Sequence, residues 1–527
     1  MLAATDRRSD GMKAVFGWRR FRVLCAVVVL AGGCATLPDP QRANLASESG
    51  PVQSCAAWFG SLDEAVDAAG VRDAGAYRVP GFPYLRVNRL LASLRDRASE
   101  EDAAFSDWVD GLLTLGATGR RYELLNLPEA RVREIGATGM EDALARSEAC
   151  ARELARRDLS SPDNRARLLG RAAVPDDYSD LKRGLGLYAL VRIPFASGVA
   201  RWHEEAAAMF RQDRDGSGPP RNYRRYGPPE PSPLMRAQAV AILKAAPRDA
   251  LGIPRFSNED RERLFAAFAP VFEIDTQGPY DRFGSLVWGN GPAPDVDASR
   301  PTVYRRVAFT RYGGQILVQL VHTIWFSERP SAGSFDLLAG KLDGVVLRVT
   351  LTPEGEPLVY DSIHPCGCFH MFFPTALAQP VDPPDKSEEW AFMPATLPAP
   401  HPEQRISVRI ASGTHYVVGI APVPAARDDP PYAVEDEDEL RSVSAGTGNP
   451  RSIYGPDGLV PGTERGERML FWPMGIDSAG AMRQWGRHAT AFLGRRHFDD
   501  ADLVDRRFRI KDPSAAARRE PAAVTSN

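Results

Sequence analysis

The densest group of reactive side chains in this sequence is His364-Pro365-Cys366-Gly367-Cys368-Phe369-His370. Side chains two apart share one face of an extended strand, so positions 364, 366, 368 and 370 are expected to point the same way. Three uses fit that pattern. His364 and His370, with or without the thiols, can ligate a transition metal, although one residue between cysteines departs from the usual zinc spacing. Cys366 and Cys368 can form a strained, redox-active pair, because short cysteine loops raise the reduction potential. The third use is structural, with imidazoles hydrogen-bonded at a sheet edge. Pro365 and Gly367 are expected to bend the segment.

Two further histidines bear on the metal reading. His322 lies on the otherwise apolar face Ile316, Val318, Leu320, His322, Ile324, Phe326, and a buried imidazole needs a hydrogen bond or a metal. His415 opens a strand after a hairpin. With His322, His364 and His370 it completes a set from which three ligands can hold zinc and leave a position open for water. Glu328, Asp343 and Asp361 near strand ends are candidates for a general base or for an acceptor behind a ligating histidine. Ion pairs with Arg329 and Arg348 are their plainer use. Ser478 in Gly475-Ile476-Asp477-Ser478-Ala479-Gly480 does not match a nucleophile elbow and reads as a helix N-cap. Phosphate-loop, dinucleotide and His-Glu-x-x-His patterns are absent from the sequence.

The elements that must position these residues divide by periodicity. Segments 54–69, 83–97, 101–116, 139–158, 162–172 and 195–212 repeat apolar residues every three or four positions and are expected to be helices. They make 51–248 a helical domain, broken by a Gly/Pro-rich loop at 213–234 and followed by a helix at 235–246. From 249 to 512 an α+β domain is expected. Ser257 caps a helix at 258–269, and strands at 302–310, 315–326, 344–352, 357–364, 405–411 and 415–421 pair as antiparallel hairpins. A last helix is expected at 478–493, burying Ala481, Trp485, His488 and Phe492. The acidic run Glu435 to Glu439 lacks the spacing of a calcium loop and reads as a solvated face. Trp288 and Trp325 are core residues by default, with a ligand cleft as the other use. Residues 513–527 form a disordered tail. The fold class is therefore α+β, a helical domain followed by an antiparallel sheet with flanking helices.

Composition narrows the function. The 527 residues are 43% hydrophobic and 25% charged with net charge −3, which suits a globular protein and argues against nucleic-acid binding. Near the start, Lys13, Arg19, Arg20 and Arg22 precede the run Val27-Val28-Val29-Leu30-Ala31-Gly32-Gly33-Cys34. A basic region, about ten apolar residues and small residues before a break have the layout of an export signal. The run falls short of the about twenty apolar residues needed to cross ~30 Å of hydrocarbon.

This stretch resembles the lipobox of bacterial lipoproteins. The resemblance covers the first thirty-odd residues and implies a signal peptide at 1–33, an acylated Cys34 and a polar tether at 34–50. Ala35 after Cys34 implies the outer membrane, with the chain facing the periplasm and held by its lipid. Of the other cysteines, Cys25 lies in the leader and Cys55, Cys150, Cys366 and Cys368 remain. In an oxidising compartment Cys55 and Cys150, each on the apolar face of a helix, are expected to form a disulfide, with two buried thiols as the alternative. Two functions stand open: a binding or scaffolding lipoprotein with an envelope protein or a small molecule as partner, and a zinc-type envelope hydrolase built on His322, His364, His370 and His415.

Overall fold

The computed structural model describes residues 50–511 except 230–235, 290, 334, 400, 402, 426–428 and 447. The leader, Cys34, nearly all of the tether and the tail at 513–527 lie outside the described residues. The class is α+β, with helices first and sheets after them.

Helix α1 (Pro51–Ala69) starts with a proline in its first turn and buries Cys55, Phe59, Leu62 and Val66. The segment expected as a helix at 83–97 is instead a hairpin, β1 (Tyr77–Val79) with β2 (Phe82–Val87), followed by two short helices, Arg89–Ser93 and Arg95–Ala98. Pro80 and Gly81 set the turn, and the aromatic and β-branched stretch from Phe82 to Val87 is buried on both faces, which outweighs the helical spacing of its leucines. Helices α2 (Asp102–Asn126), α3 (Met140–Leu159) and α4 (Pro162–Arg171) close around it. A disulfide joins Cys55 on α1 to Cys150 on α3, with Cα atoms 4.9 Å apart. Helix α5 (Asp180–Leu185) and the 28-residue helix α6 (Tyr188–Asp215) follow.

The loop expected at 213–234 contains strand β3 (Tyr223–Tyr226). After α7 (Arg236–Ala245) comes α8 (Asn258–Phe268), capped by Ser257, whose hydroxyl accepts from the Asp260 amide at 3.0 Å. Strand β4 (Val271–Asp275) pairs with β3. The remaining strands are β5 (Phe283–Trp288), β6 (Pro294–Asp297), β7 (Thr302–Tyr312), β8 (Gln315–Arg329), β9 (Gly340–Leu351), β10 (Pro357–Ile363), β11 (Met371–Pro374), β12 (Ala378–Pro380), β13 (Gln404–Ile410), β14 (Val417–Pro424), β15 (Ala433–Asp436) and β16 (Phe508–Ile510).

One sheet runs β11-β10-β9-β8, and the far edge of β8 pairs with β7 along most of its length and with β5 near Phe326. A second, four-stranded sheet runs β14-β13-β4-β3. Leu320, Ile324, Phe326, Val345 and Leu347 of the first sheet meet Phe272, Ile274, Val408, Ile410 and Val417 of the second in one core. The other face of the large sheet, with Val321, Val346 and Ile363, is covered by Phe498 and the loops around it.

Those loops replace the helix expected at 478–493, where no helix forms. Ser478 has φ 46° rather than the extended backbone of an N-cap. Met482 and Ala489 are still buried, but the Met482 amide donates to the Thr463 hydroxyl and the Ala489 amide to the Arg487 carbonyl. Helical spacing here arose from burial on a loop. The acidic run is not a solvated face either. Glu437 and Asp438 both pair with Arg306, Glu435 with Arg300 at 2.7 Å and Asp436 with Arg261 at 3.3 Å.

Candidate functional site: an aromatic cavity with a buried unpaired carboxyl

The His364–His370 segment is the connection between β10 and β11, so its side chains do not share a strand face. Pro365 and Gly367 make it a tight turn, in which the Gly367 amide donates to the His364 carbonyl at 2.8 Å and the His364 amide to Cys368 at 3.0 Å. Gly367 has φ 93°, and a β-carbon there would stand 2.4 Å from the Ala489 carbonyl oxygen. The turn therefore requires glycine.

The histidines separate onto different partners. His364 Nδ1 lies 2.9 Å from Asp343 Oδ1, and His415 Nδ1 lies 3.0 Å from the other oxygen of the same carboxyl. His415 Nε2 is 3.4 Å from Asp281. This chain of four groups sits between the two sheets, with the His415 ring stacked 4.0 Å from Phe326. Burial opposes ionisation throughout, yet hydrogen bonds from the imidazoles hold Asp343 well below the carboxylate range. Burial likewise opposes a charge on His415, but Asp281 and Asp343 raise it above the usual imidazole value. Burial prevails at His364, which is lowered. Asp281 accepts in addition from Gly413 N at 2.7 Å and Ser412 Oγ at 2.8 Å, fastening the β13–β14 hairpin.

His370 belongs to the opposite side of the large sheet. Its Nε2 lies 2.9 Å from Asp361, which Arg348 holds through Nε at 3.0 Å and Nη2 at 2.5 Å. Burial lowers His370 to about 3. His322 stands alone, edge-on to Phe265 at 5.6 Å, with neither ring nitrogen hydrogen-bonded. It is four residues from Phe326 on β8, about 13 Å along the strand from the Asp343 pair.

The four histidines thus do not converge, and the zinc centre expected of His322, His364, His370 and His415 is not assembled. Among the described residues no group of three or more His, Cys, Asp or Glu is arranged to hold a metal ion. Asp343 and Asp361 are each committed to histidine, Asp361 also to Arg348, and Glu328 is exposed. Cys366 and Cys368 are free thiols. The neighbouring Cys366 thiol and then burial push the Cys368 thiol well up, so it is no ready nucleophile.

The turn instead forms part of the wall of a cavity of about 590 Å³. Phe195 and Trp202 from α6, Phe369 from the turn, Tyr416, Phe471 and Phe492 give it aromatic walls. Trp202 and Phe369 are 5.2 Å apart between ring centres, and Phe369 and Tyr416 4.6 Å. Trp288 and Trp325, the tryptophans singled out in the sequence, do not line it.

Three acids line this cavity: Glu205 is exposed, Glu389 accepts from the Phe492 and Leu493 amides, and Glu467 is the buried one without a partner. Glu467 is 5% exposed, and its carboxyl makes neither a hydrogen bond nor a salt bridge among the described residues. Burial pushes it up to about 7, against the pull of Arg465 and Arg329. Arg465 is occupied elsewhere, donating to the carbonyls of Gly480, Leu338 and Leu342. Of the two histidines in the wall, His370 is the one held by Asp361, and His203 is stacked 4.1 Å from Phe392 and lowered by burial to about 4. Near neutral pH, therefore, the carboxyl of Glu467 exchanges its proton while that imidazole stays neutral.

Comparison of the chain with protein-family models, with curated proteins and with solved structures gives no match.

Proposed function

We propose that this chain is a lipid-anchored protein of the bacterial envelope that binds an amphipathic amine, with the apolar body in the aromatic cavity and the ammonium at Glu467. The observation that carries the binding is the unpartnered, buried carboxyl of Glu467 inside mostly apolar walls. A few convergent polar groups in a mostly apolar pocket are what orient a small ligand. An ammonium placed there gains a charge-assisted hydrogen bond and the faces of Trp202 and Tyr416, which attract cations. Binding rather than turnover is favoured because Cys368 is held protonated and the Nε2 of His364 and Nδ1 of His370 are buried without a reacting partner.

The envelope address rests on the lipobox-like run ending at Cys34, which lies outside the described residues, and is supported by the Cys55–Cys150 disulfide. Two acyl chains or more are needed for a stable anchor, at ~0.8 kcal/mol per buried CH₂. Mass spectrometry of the amino-terminal peptide from native membranes tests the anchor. Cys34 carrying diacylglycerol supports it, and a chain that retains residues ahead of an unmodified Cys34 overturns it. Fluorescence titration of the purified protein with dodecylamine and 1-dodecanol tests the site. Saturable binding of the amine, at least tenfold tighter than the alcohol, is expected, and equal affinities overturn the role given to Glu467.

A further inference from the structure

Around the mouth of the cavity the surface is apolar to a degree unusual for a water-facing protein. Leu185 is 71% exposed, Leu190 65%, Ile193 66% and Met469 75%. Leu181, Leu187, Leu470 and Trp472 are exposed beside them. These residues come from two segments, α5 with the first half of α6, and 468–472. Phe195 of α6 packs 5.2 Å from Phe471 and both rings line the cavity, so the patch and the cavity wall are continuous. On the far side a β-carbon on Gly186 would lie 2.6 Å from that of Pro473, so the end of α5 and the segment after Trp472 are in contact.

The charges around this patch are mainly basic: at its edges Asp477 pairs with Lys182 and Asp180 with Arg495, which leaves Arg183, Arg192, Arg201 and Arg468 in excess. From Leu181 to His203 the sequence carries Lys182, Arg183, Arg192 and Arg201 and no acidic residue. The segment Arg468 to Ile476 carries Arg468 and no acid. Arg183 and Arg192 are bound to carbonyl or hydroxyl oxygens and to the Tyr188 ring, which leaves their charge unneutralised by a carboxylate. Large exposed apolar side chains with a tryptophan and a rim carrying an excess of arginine are the composition of a surface that lies in the headgroup region of a bilayer. Tryptophan concentrates at that depth, and the anionic leaflet attracts the arginines.

We propose that this patch inserts into the surface of an anionic phospholipid bilayer, so that the aromatic cavity opens directly onto the membrane. The choice of a bilayer as occupant rests on the envelope-lipoprotein reading above. The insertion itself is a property of Leu185, Leu190, Ile193, Met469, Leu470 and Trp472, separate from the acyl anchor. It gives an amphiphile a dry path from the bilayer, past Phe195 and Phe471, to Glu467.

The test is fluorescence of the full chain bound to vesicles of phosphatidylethanolamine and phosphatidylglycerol, with and without bromine in the upper acyl chains. Bromine quenches tryptophan only at contact range. The wild-type protein is expected to be quenched, and Trp472→Phe, a mild change at an exposed position, to remove at least half of that quenching. The pair Leu190→Asp with Ile193→Asp is expected to do the same while Trp472 is still present. Equal quenching in the wild type and both variants overturns the proposal. A wild-type dimer in buffer that dissociates with Leu190→Asp also overturns it, by assigning the patch to a second copy. Glu467→Gln, which should lose amine selectivity, is expected to leave the quenching unchanged, so failure of the ligand reading and failure of the docking surface give different results.

Discussion

Gly480 and Glu467 fit together with no room for another atom: a β-carbon on Gly480 would lie 2.1 Å from Glu467 Oε1 and 3.0 Å from the Arg465 side chain. Gly480 also has φ 85°, a conformation that side chains rarely adopt. The glycine is what lets a buried carboxyl stand at the cavity wall. Gly480→Ala is expected to displace the Glu467 carboxyl, weaken dodecylamine binding at least tenfold and cost about 1–3 kcal/mol of stability. Paired ligand titration and urea unfolding check both. Unchanged amine affinity would contradict the positioning role of Gly480.

A second buried carboxylate, Glu123, has the opposite surroundings. It takes Arg86 at 2.6 Å, Arg120 at 2.9 Å and Arg78 at 3.2 Å. Burial opposes its charge, but these guanidinium groups lower it to about 2. Glu123→Ala leaves Arg86 and Arg120 buried without this carboxylate and is expected to cost about 3–5 kcal/mol. Urea unfolding at pH 7 measures this, and a loss below 1 kcal/mol would contradict it.

The Cys55–Cys150 crosslink closes a loop of 95 residues. In the chain-entropy model such a loop contributes about 4–5 kcal/mol. Cys55→Ser with Cys150→Ser, compared with the wild type in non-reducing urea, is expected to lower the unfolding midpoint accordingly. No shift would place the stability of the helical half elsewhere.

Stability is expected to fall on both sides of neutral pH for separate reasons. Burial opposes a charge on His497, but the carboxylates of Asp176 and Asp500, each 3.3 Å from the ring, raise it to about 9. A raised pKa stabilises the fold fully below the unfolded value near 6.5, and that contribution is lost as pH rises towards 9. His322, His370 and His488 are lowered by burial to about 3 each. The unfolded chain takes up their protons first, so their contribution is present above about 6.5 and declines as pH falls towards 3. Urea unfolding between pH 4 and 9 should show both limbs, and His497→Phe should flatten only the alkaline one.

How far the sequence revealed this arrangement depends on the range of the contacts involved. Strong local signals determine the elements whose contacts are short-range. The Ser257 cap and the hairpin of β7 with β8 depend on neighbours in the chain. The first part of the helix expected at 83–97 is a strand because α2 and α3 bury Phe82 to Val87 on both faces, a tertiary effect, and only its second part is helical. The helix expected at 478–493 failed because Gly480 and Gly486, both at positive φ, fold it into loops whose amides bond to residues far along the chain. His364 and His370 were legible as reactive residues, but their assignment to Asp343 and Asp361 on opposite faces depends on strand register. Glu467 carried no signal, since Glu464-Arg465-Gly466-Glu467-Arg468 reads as an exposed charged loop. Pro194-Phe195 and Trp202 within an almost wholly apolar start to α6 were the available hint of a cavity wall.

The central claim is that an ionised Glu467 holds the amine. It is tested most directly by the affinity for dodecylamine between pH 5 and 8.5 in the wild type and in Glu467→Gln. The amine is charged throughout, and His203, lowered to about 4, does not titrate in this range. Because Glu467 is pushed up to about 7, the wild-type affinity should rise about tenfold per pH unit below 7 and level off above it. Glu467→Gln should bind more weakly above pH 7 and show no such rise. A wild-type affinity independent of pH, or the same pH dependence in Glu467→Gln, would contradict the account.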